Sequence, residues 1–159
     1  MSKNYKERKI VSKIVRGLSK SKNPDSIVSE VARTSYRSRG IIDTPAKAAE
    51  AFSNIRAKKQ EHFAVLTLDA ARQFINCHIV TIGTLTSSLV HPREVFALAL
   101  EDRAASIIIA HNHPSGNLDI SRKDRKMTEI IKNAGDVMNI PMDDHLIVTS
   151  SGFVSVPSC

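Results

Sequence analysis

The sequence predicts an α/β domain, a mixed β-sheet flanked by helices, preceded by a helical extension. Three observations predict it. Between Thr44 and Val156, apolar residues at helical spacing alternate with short apolar runs of strand length. Two of those runs, around Val65 and Ile108, are almost continuously apolar, the pattern of strands buried on both faces. Charge also divides the chain. Residues 1–60 hold 15 Lys+Arg against 5 Asp+Glu, and residues 61–159 hold 8 against 11, so a front of +10 precedes a body of −3. The expected organisation is therefore a basic helical extension over 1–43 and a chemical domain over 44–159.

In chain order, Ile10, Val11, Ile14, Val15 and Leu18 fall at helical spacing among lysines and arginines, predicting a helix over 5–20. Asn23-Pro24-Asp25 breaks it, and Ile27, Val28, Val31 and Ala32 predict a second short helix. The polar stretch 35–40 reads as a linker. Thr44-Pro45 opens a helix, with Thr as N-cap and Pro in the first turn, and Ala48, Ala49, Phe52 and Ile55 form its apolar face. Strands are predicted over 61–68 and 74–82, joined by a turn at 69–73. Pro92 starts a helix carrying Val95, Phe96, Leu98, Ala99 and Leu100. Residues 106–110 form a short buried strand, followed by a loop from His111 to Ile120. Ser121 caps a helix containing Met127, Ile130, Ile131, Ala134 and Met138. Late strands are predicted over 146–148 and 153–156, around Gly152.

Composition narrows the function. The chain has 159 residues, 42% hydrophobic and 25% charged, enough for a core without covalent staples. Two cysteines, Cys77 and Cys159, exclude a disulfide scaffold and a cysteine-based zinc site. No apolar run is long enough to span a membrane, and the first residues lack the apolar stretch of a secretory signal. The cytoplasm is the expected compartment, with no membrane partner. Aromatic residues are 4% with no Trp, which argues against a stacking platform for single-stranded nucleic acid.

All six histidines lie in the acidic body. His111 and His113 stand two apart at the end of a predicted strand, where i and i+2 share a face. Pro114 and Gly116 turn the chain back. Asp124, in the first turn of the next helix, can bring a carboxylate to the same point. Two His and one Asp suit Zn²⁺ and leave a fourth position for water, acidified toward neutrality. A Glu is the simplest base to take its proton. Taken alone, Ser121-x-x-Asp124 before an apolar helix is a capping box, and caps far outnumber metal sites. The full string His-x-His-x7-Ser-x2-Asp, however, arises by chance in only about one shuffled chain of this composition per thousand. One first turn can serve as both cap and site.

That string is the JAMM (MPN+) metalloprotease signature, and the wider match resembles the RadC-like branch of the superfamily. It is carried by Glu61 to Asp69, Gly83-Thr84-Leu85, His91 to Phe96, His111 to Gly116 and Asp144-His145-Leu146-Ile147-Val148, over roughly Thr44 to Val156. The resemblance implies the JAB/MPN, cytidine-deaminase-like layered fold. It implies zinc on His111, His113 and Asp124, with Ser121 as a donor to the developing oxyanion. The family's catalytic Glu, at the start of the first body strand, maps to Glu61. Glu94 is its rival, at a helix start where the dipole also favours an acid. Ile120 stands where the family often has Pro. The short front, with Gly17 and Gly40 but no paired-Gly hairpin, resembles a form without the helix-hairpin-helix DNA-binding segment.

The remaining histidines have structural readings. His62 and His78 are expected as partly buried, hydrogen-bonded strand residues. His145 beside Asp144 reads first as a structural His–Asp pair, with a ligand's hydrogen-bond partner or a fourth ligand as alternatives. Cys77 is expected in the core and Cys159 exposed. His111-Asn112-His113 spells the name of the HNH nucleases, which distribute those residues over a larger unit. Zinc deaminases need His-x-Glu and Pro-Cys-x-x-Cys, both missing here.

Two functions compete. One is a JAMM-type zinc hydrolase acting on a peptide or isopeptide bond of a protein or peptide substrate. The other is a DNA-associated repair or mobile-element accessory protein, or a nuclease, using the same metal. Residues 1–40 would supply the DNA contact, although such a segment is equally a solvated helix face. A metal-free scaffold is the third reading, and the complete ligand set opposes it. Oligomeric state is not legible.

Overall fold

The computed structural model describes residues 40–83 and 90–157. The helices expected over 5–20 and 27–32, the linker up to Arg39, Thr84-Leu85 and Cys159 lie outside the described residues.

Within them the chain forms an α/β fold of five strands and three helices. The order is α1 (Pro45–Ala51), β1 (His62–Leu68), β2 (Phe74–Ile82), α2 (Pro92–Glu101), β3 (Ser106–Asn112), α3 (Arg122–Met138), β4 (Met142–Val148) and β5 (Phe153–Ser155). The sheet order is β2-β1-β3-β4-β5. It is mixed: β1 runs antiparallel to β2 and β3, β3 parallel to β4, and β5 antiparallel to β4. The parallel pair is joined through α3, as a crossover requires.

Every residue of β1 and β3 is buried, as their unbroken apolar runs predict. Phe63, Val65, Ile107 and Ile109 face α2 and α3, packing with Val95, Phe96, Ala99, Met127 and Ile131. The alternate residues Ala64, Leu66, Ile108 and Ala110 point the other way and are buried as well. Outside that cluster, α1 buries Ala48, Ala49 and Ala51, with Phe52 and Ile55 just beyond, and packs on β4 and β5. Arg56 Nε donates to the carbonyl of Thr149 at 2.8 Å, tying the end of this segment to the β4–β5 turn. The predicted Thr44 cap forms, its hydroxyl accepting from the Lys47 amide at 3.3 Å.

Helix α3 ends on Asn139 in the left-handed region (φ 55°), and the Ile140 amide donates back to the Gly135 carbonyl at 2.9 Å. A Cβ on Gly135 would lie 2.6 Å from the Ile140 carbonyl oxygen, so only glycine lets the chain leave the helix this closely.

Four expectations need correction. β3 continues through His111 and Asn112, which pair with Ile147 and Val148, so the loop begins two residues later than its polarity predicts. β4 starts at Met142, its charged Asp143 and Asp144 being satisfied by Ser106 and Ser155 hydroxyls at 2.9 and 2.8 Å. β5 ends at Ser155, one residue short of the expected Val156. Cys77 is only half-buried, because β2 is the last strand of the sheet on its side among the described residues. No helix among the described residues is long and apolar enough to cross a membrane.

Candidate metal centre

The site forms at the carboxyl end of β3, where α/β sheets present their ligands. His111 is the sixth residue of that strand and His113 lies one past its end. The His113 amide still donates to the Val148 carbonyl at 3.1 Å, so backbone alternation extends through it. Both rings therefore turn to one side, with Nε2 atoms 3.0 Å apart. Gly116, at φ +80°, closes the turn, its amide donating to the His113 carbonyl at 3.0 Å. Asp124 is the third residue of α3, and its Oδ1 lies 3.1 Å from His111 Nε2.

The capping box and the site are one arrangement. Asp124 Oδ2 accepts from the Ser121 amide at 2.7 Å, and Ser121 Oγ accepts from the Asp124 amide at 3.2 Å. A carboxylate has two oxygens; one locks the helix start and the other faces the histidines.

The donor set fits a cation. His113 Nδ1 lies 2.8 Å from the Asn117 carbonyl, which can only accept, so the ring proton sits on Nδ1 and Nε2 presents a lone pair. That carbonyl is held in place by Asn117 itself, whose side chain bonds Asp119 through Nδ2 (2.7 Å) and Oδ1 (2.9 Å). One ligand atom from each of His111, His113 and Asp124 lies within 4.8 Å of the others. Tetrahedral neighbours around zinc lie about 3.4 Å apart, close to the two short separations found.

Electrostatics prepare the same chemistry. Burial alone would raise the Asp124 carboxyl, but the adjoining His111 ring and hydrogen bonds from Ser121 outweigh it and hold the group well below the usual carboxylate range. It is an anion when the site fills. His145, 1% exposed, is pushed down to about 3, first by burial and then by the neighbouring His111.

The expected His145–Asp144 ring pair does not form. Neighbouring strand residues point to opposite faces; Asp144 Oδ1 accepts only the backbone amide of His145, at 2.8 Å. The His145 ring instead meets His111 Nδ1 through Nε2 at 3.0 Å and Thr128 Oγ1 through Nδ1 at 2.7 Å.

Glu61 immediately precedes β1. Extending the β1/β3 register two residues beyond Phe63↔His111 sets it opposite His113. Both residues line a cleft of about 560 Å³, with Gly83, Pro114, Asn117 and Asp119. Glu94 lies elsewhere: exposed in the first turn of α2, it accepts from Arg93 Nε at 2.9 Å and does not line that cleft. Ser121 is exposed; its hydroxyl accepts from the Asp124 amide at 3.2 Å and is among the groups that hold the Asp124 carboxyl low.

Sequence reasoning missed Asn112. This residue, 0% exposed, sends Nδ2 to the Lys58 and Gln60 carbonyls at 3.1 Å each, while Oδ1 accepts from the His62 amide at 2.7 Å. It clamps the backbone on both sides of Glu61. No sequence signal marked it, because its polarity put it in the loop after a strand expected to end at Ala110, whereas β3 runs through it. His62 and His78 are hydrogen-bonded as expected, to the Gln60 carbonyl at 2.9 Å and to Asp102 Oδ2 at 2.7 Å.

A mixed sheet with a His–His–Asp group at the end of a central strand defines an α/β domain able to hold one metal ion. The comparisons with known proteins narrow the class. A family model for the RadC-like JAB domain matches residues 42–158, and the chain belongs to that family. It is 44% identical over 117 residues to a UPF0758 protein of Thermosynechococcus vestitus, covering 73% of this chain and 47% of the relative. A UPF0758 protein of Methanospirillum hungatei is 47% identical over 106 residues, covering 67% and 47%. One of Geobacillus sp. is 40% identical over 127 residues, covering 79% and 56%. The chain spans about half the length of these curated relatives.

Proposed function

We propose that residues 44–159 form a zinc-dependent hydrolase of JAMM type that cleaves a peptide or isopeptide bond, with Glu61 as general base. The observation that carries this reading is the convergence of His111 Nε2, His113 Nε2 and Asp124 Oδ1 beside a cleft that Glu61 also lines. When bound there, zinc would supply Lewis acidity that activates water and polarises a carbonyl. His111, His113 and Asp124 would hold it. Glu61 would take a proton at its carboxylate and return it to the leaving amine. Ser121, exposed at the start of α3, would donate to the developing oxyanion. The deciding experiment assays one zinc-loaded sample on isopeptide-linked, peptide and DNA substrates, with Glu61→Gln as control. Cleavage of DNA alone would overturn the reading.

A second reading, association with DNA, is favoured by α3. Arg122, Lys123, Arg125 and Lys126 are exposed on the helix that starts at the site, with no ion-pair partner among the described residues. They add to the cations of residues 1–40 a second surface suited to phosphates. Retention on DNA that falls steeply with salt, and falls again on Arg125→Glu/Lys126→Glu, would support it.

A further inference from the structure

We propose that His145 and Thr128 are positioning residues of the metal centre, a buried relay that fixes the tautomer of His111 and ties it to the backbone of Asp124. The proposal rests on the zinc reading above.

Proton counting carries it. A histidine that ligates through Nε2 has no proton there, so a neutral ring carries its proton on Nδ1. For His111 that Nδ1–H meets His145 Nε2 at 3.0 Å, which must then accept. His145 consequently carries its own proton on Nδ1, 2.7 Å from Thr128 Oγ1. Thr128 has one hydroxyl proton, and it goes to the Asp124 carbonyl oxygen at 2.8 Å. Its oxygen is thus free to accept from His145. Every donor meets one acceptor along three hydrogen bonds. The chain begins on one ligand and ends on the backbone of another.

The opposite polarity is incompatible with ligation. If His145 Nε2 donated, a neutral His111 would carry its proton on Nε2, aimed at Asp124 Oδ1 in place of a cation. Thr128 prevents this, because its only proton is already committed and it can offer His145 nothing but a lone pair. Both relay residues are sealed from water, His145 at 1% and Thr128 at 2% exposure, so no solvent molecule substitutes for either. Polar groups buried this deeply, the His145 ring edge-on to Phe63, are costly unless fully paired, and here all their pairing serves the ligands.

The test uses the full chain. Thr128→Val keeps the side-chain shape and removes donor and acceptor, Thr128→Ser restores both, and His145→Gln interrupts the ring contact. Zinc affinity is measured by chelator competition, and the Co²⁺-loaded protein by its d–d absorption. Thr128→Val and His145→Gln should weaken zinc binding about 10- to 100-fold and alter the Co²⁺ bands, with Thr128→Ser restoring both. Zinc affinity unchanged in Thr128→Val and His145→Gln, but lost in His113→Ala, would overturn the relay and leave the zinc reading standing. Zinc binding unchanged in His113→Ala would overturn both. Should a variant not fold, imidazole ¹⁵N spectra of the zinc-loaded wild type decide. A proton on Nδ1 of His145 supports the relay, and a proton on Nε2 overturns it.

Discussion

The side-chain oxygen of Asn112 accepts the backbone amide of His62 at 2.7 Å, across two neighbouring strands. Its nitrogen holds the carbonyls of Lys58 and Gln60. The residue between the two histidines thus orders the segment that carries Glu61, and the candidate ligands and base share one rigid support. Asn112→Asp keeps the shape and one acceptor but turns a carboxylate oxygen toward the two carbonyls that Nδ2 now binds. Stability should fall by about 3 kcal/mol or more in urea unfolding at neutral pH. The deficit relative to wild type should shrink in acid, where a protonated carboxyl again donates. A neutral-pH change near zero would show that the clamp is not needed.

Metal and fold should be linked. The three ligands come from β3, the residue after it and the start of α3, so an ion that binds them joins elements that the unfolded chain does not hold together. Zinc at about 100 times its dissociation constant should stabilise the protein by about 2.7 kcal/mol. The gain should vanish with EDTA and in His113→Ala. Thermal melts with and without zinc read it directly, and equal melts for loaded and stripped wild type would remove the site from the ligand list.

What the sequence made legible was local. A nearly continuous apolar run located β1, and 3.6-residue spacing located α2 and α3, because their apolar residues meet the core directly. The start of β4 escaped because Asp143 and Asp144 look like a turn until Ser106 and Ser155 are seen to bind them. Ser121 and Asp124 were readable both as cap and as site; only the division of labour between two carboxylate oxygens shows that the readings coexist. The partners of the Asn112 side chain and of the His145 ring could not be read. Those partners lie about 50 and 34 residues away, and no spacing rule reaches that far.

The buried histidine predicts acid sensitivity in the zinc-free protein. Burial first, and then His111, hold His145 at about 3 against the ordinary 6.5. As pH falls through 6.5 the unfolded chain takes up a proton that the folded chain refuses until about 3. The stability this group contributes is therefore complete above 6.5 and lost progressively below it. Asp124, held below its ordinary value, acts in the same direction at lower pH, its contribution present above about 3.9 and lost beneath. Urea midpoints should drop between about pH 7.5 and about pH 5, and the drop should shrink in His145→Gln. A midpoint that rises on acidification would contradict the buried neutral ring.

The choice between Glu61 and Glu94 comes down to where each carboxylate can deliver a proton. Glu61 lines the cleft with His113 and sits on backbone that Asn112 holds from both sides. Glu94 is exposed, bonded to its neighbour Arg93, and occupies a first helical turn where any acid is favoured. Gln replaces either carboxylate with equal volume and no basicity. Glu61→Gln should therefore retain zinc and stability while reducing hydrolysis by about 10²- to 10⁴-fold, the range a positioned base supplies. Glu94→Gln should leave zinc content and rate unchanged, with at most a few tenths of a kcal/mol lost at the helix start. Rates and zinc stoichiometry on the same samples separate the two. Loss of rate in Glu94→Gln alone would move the base to α2.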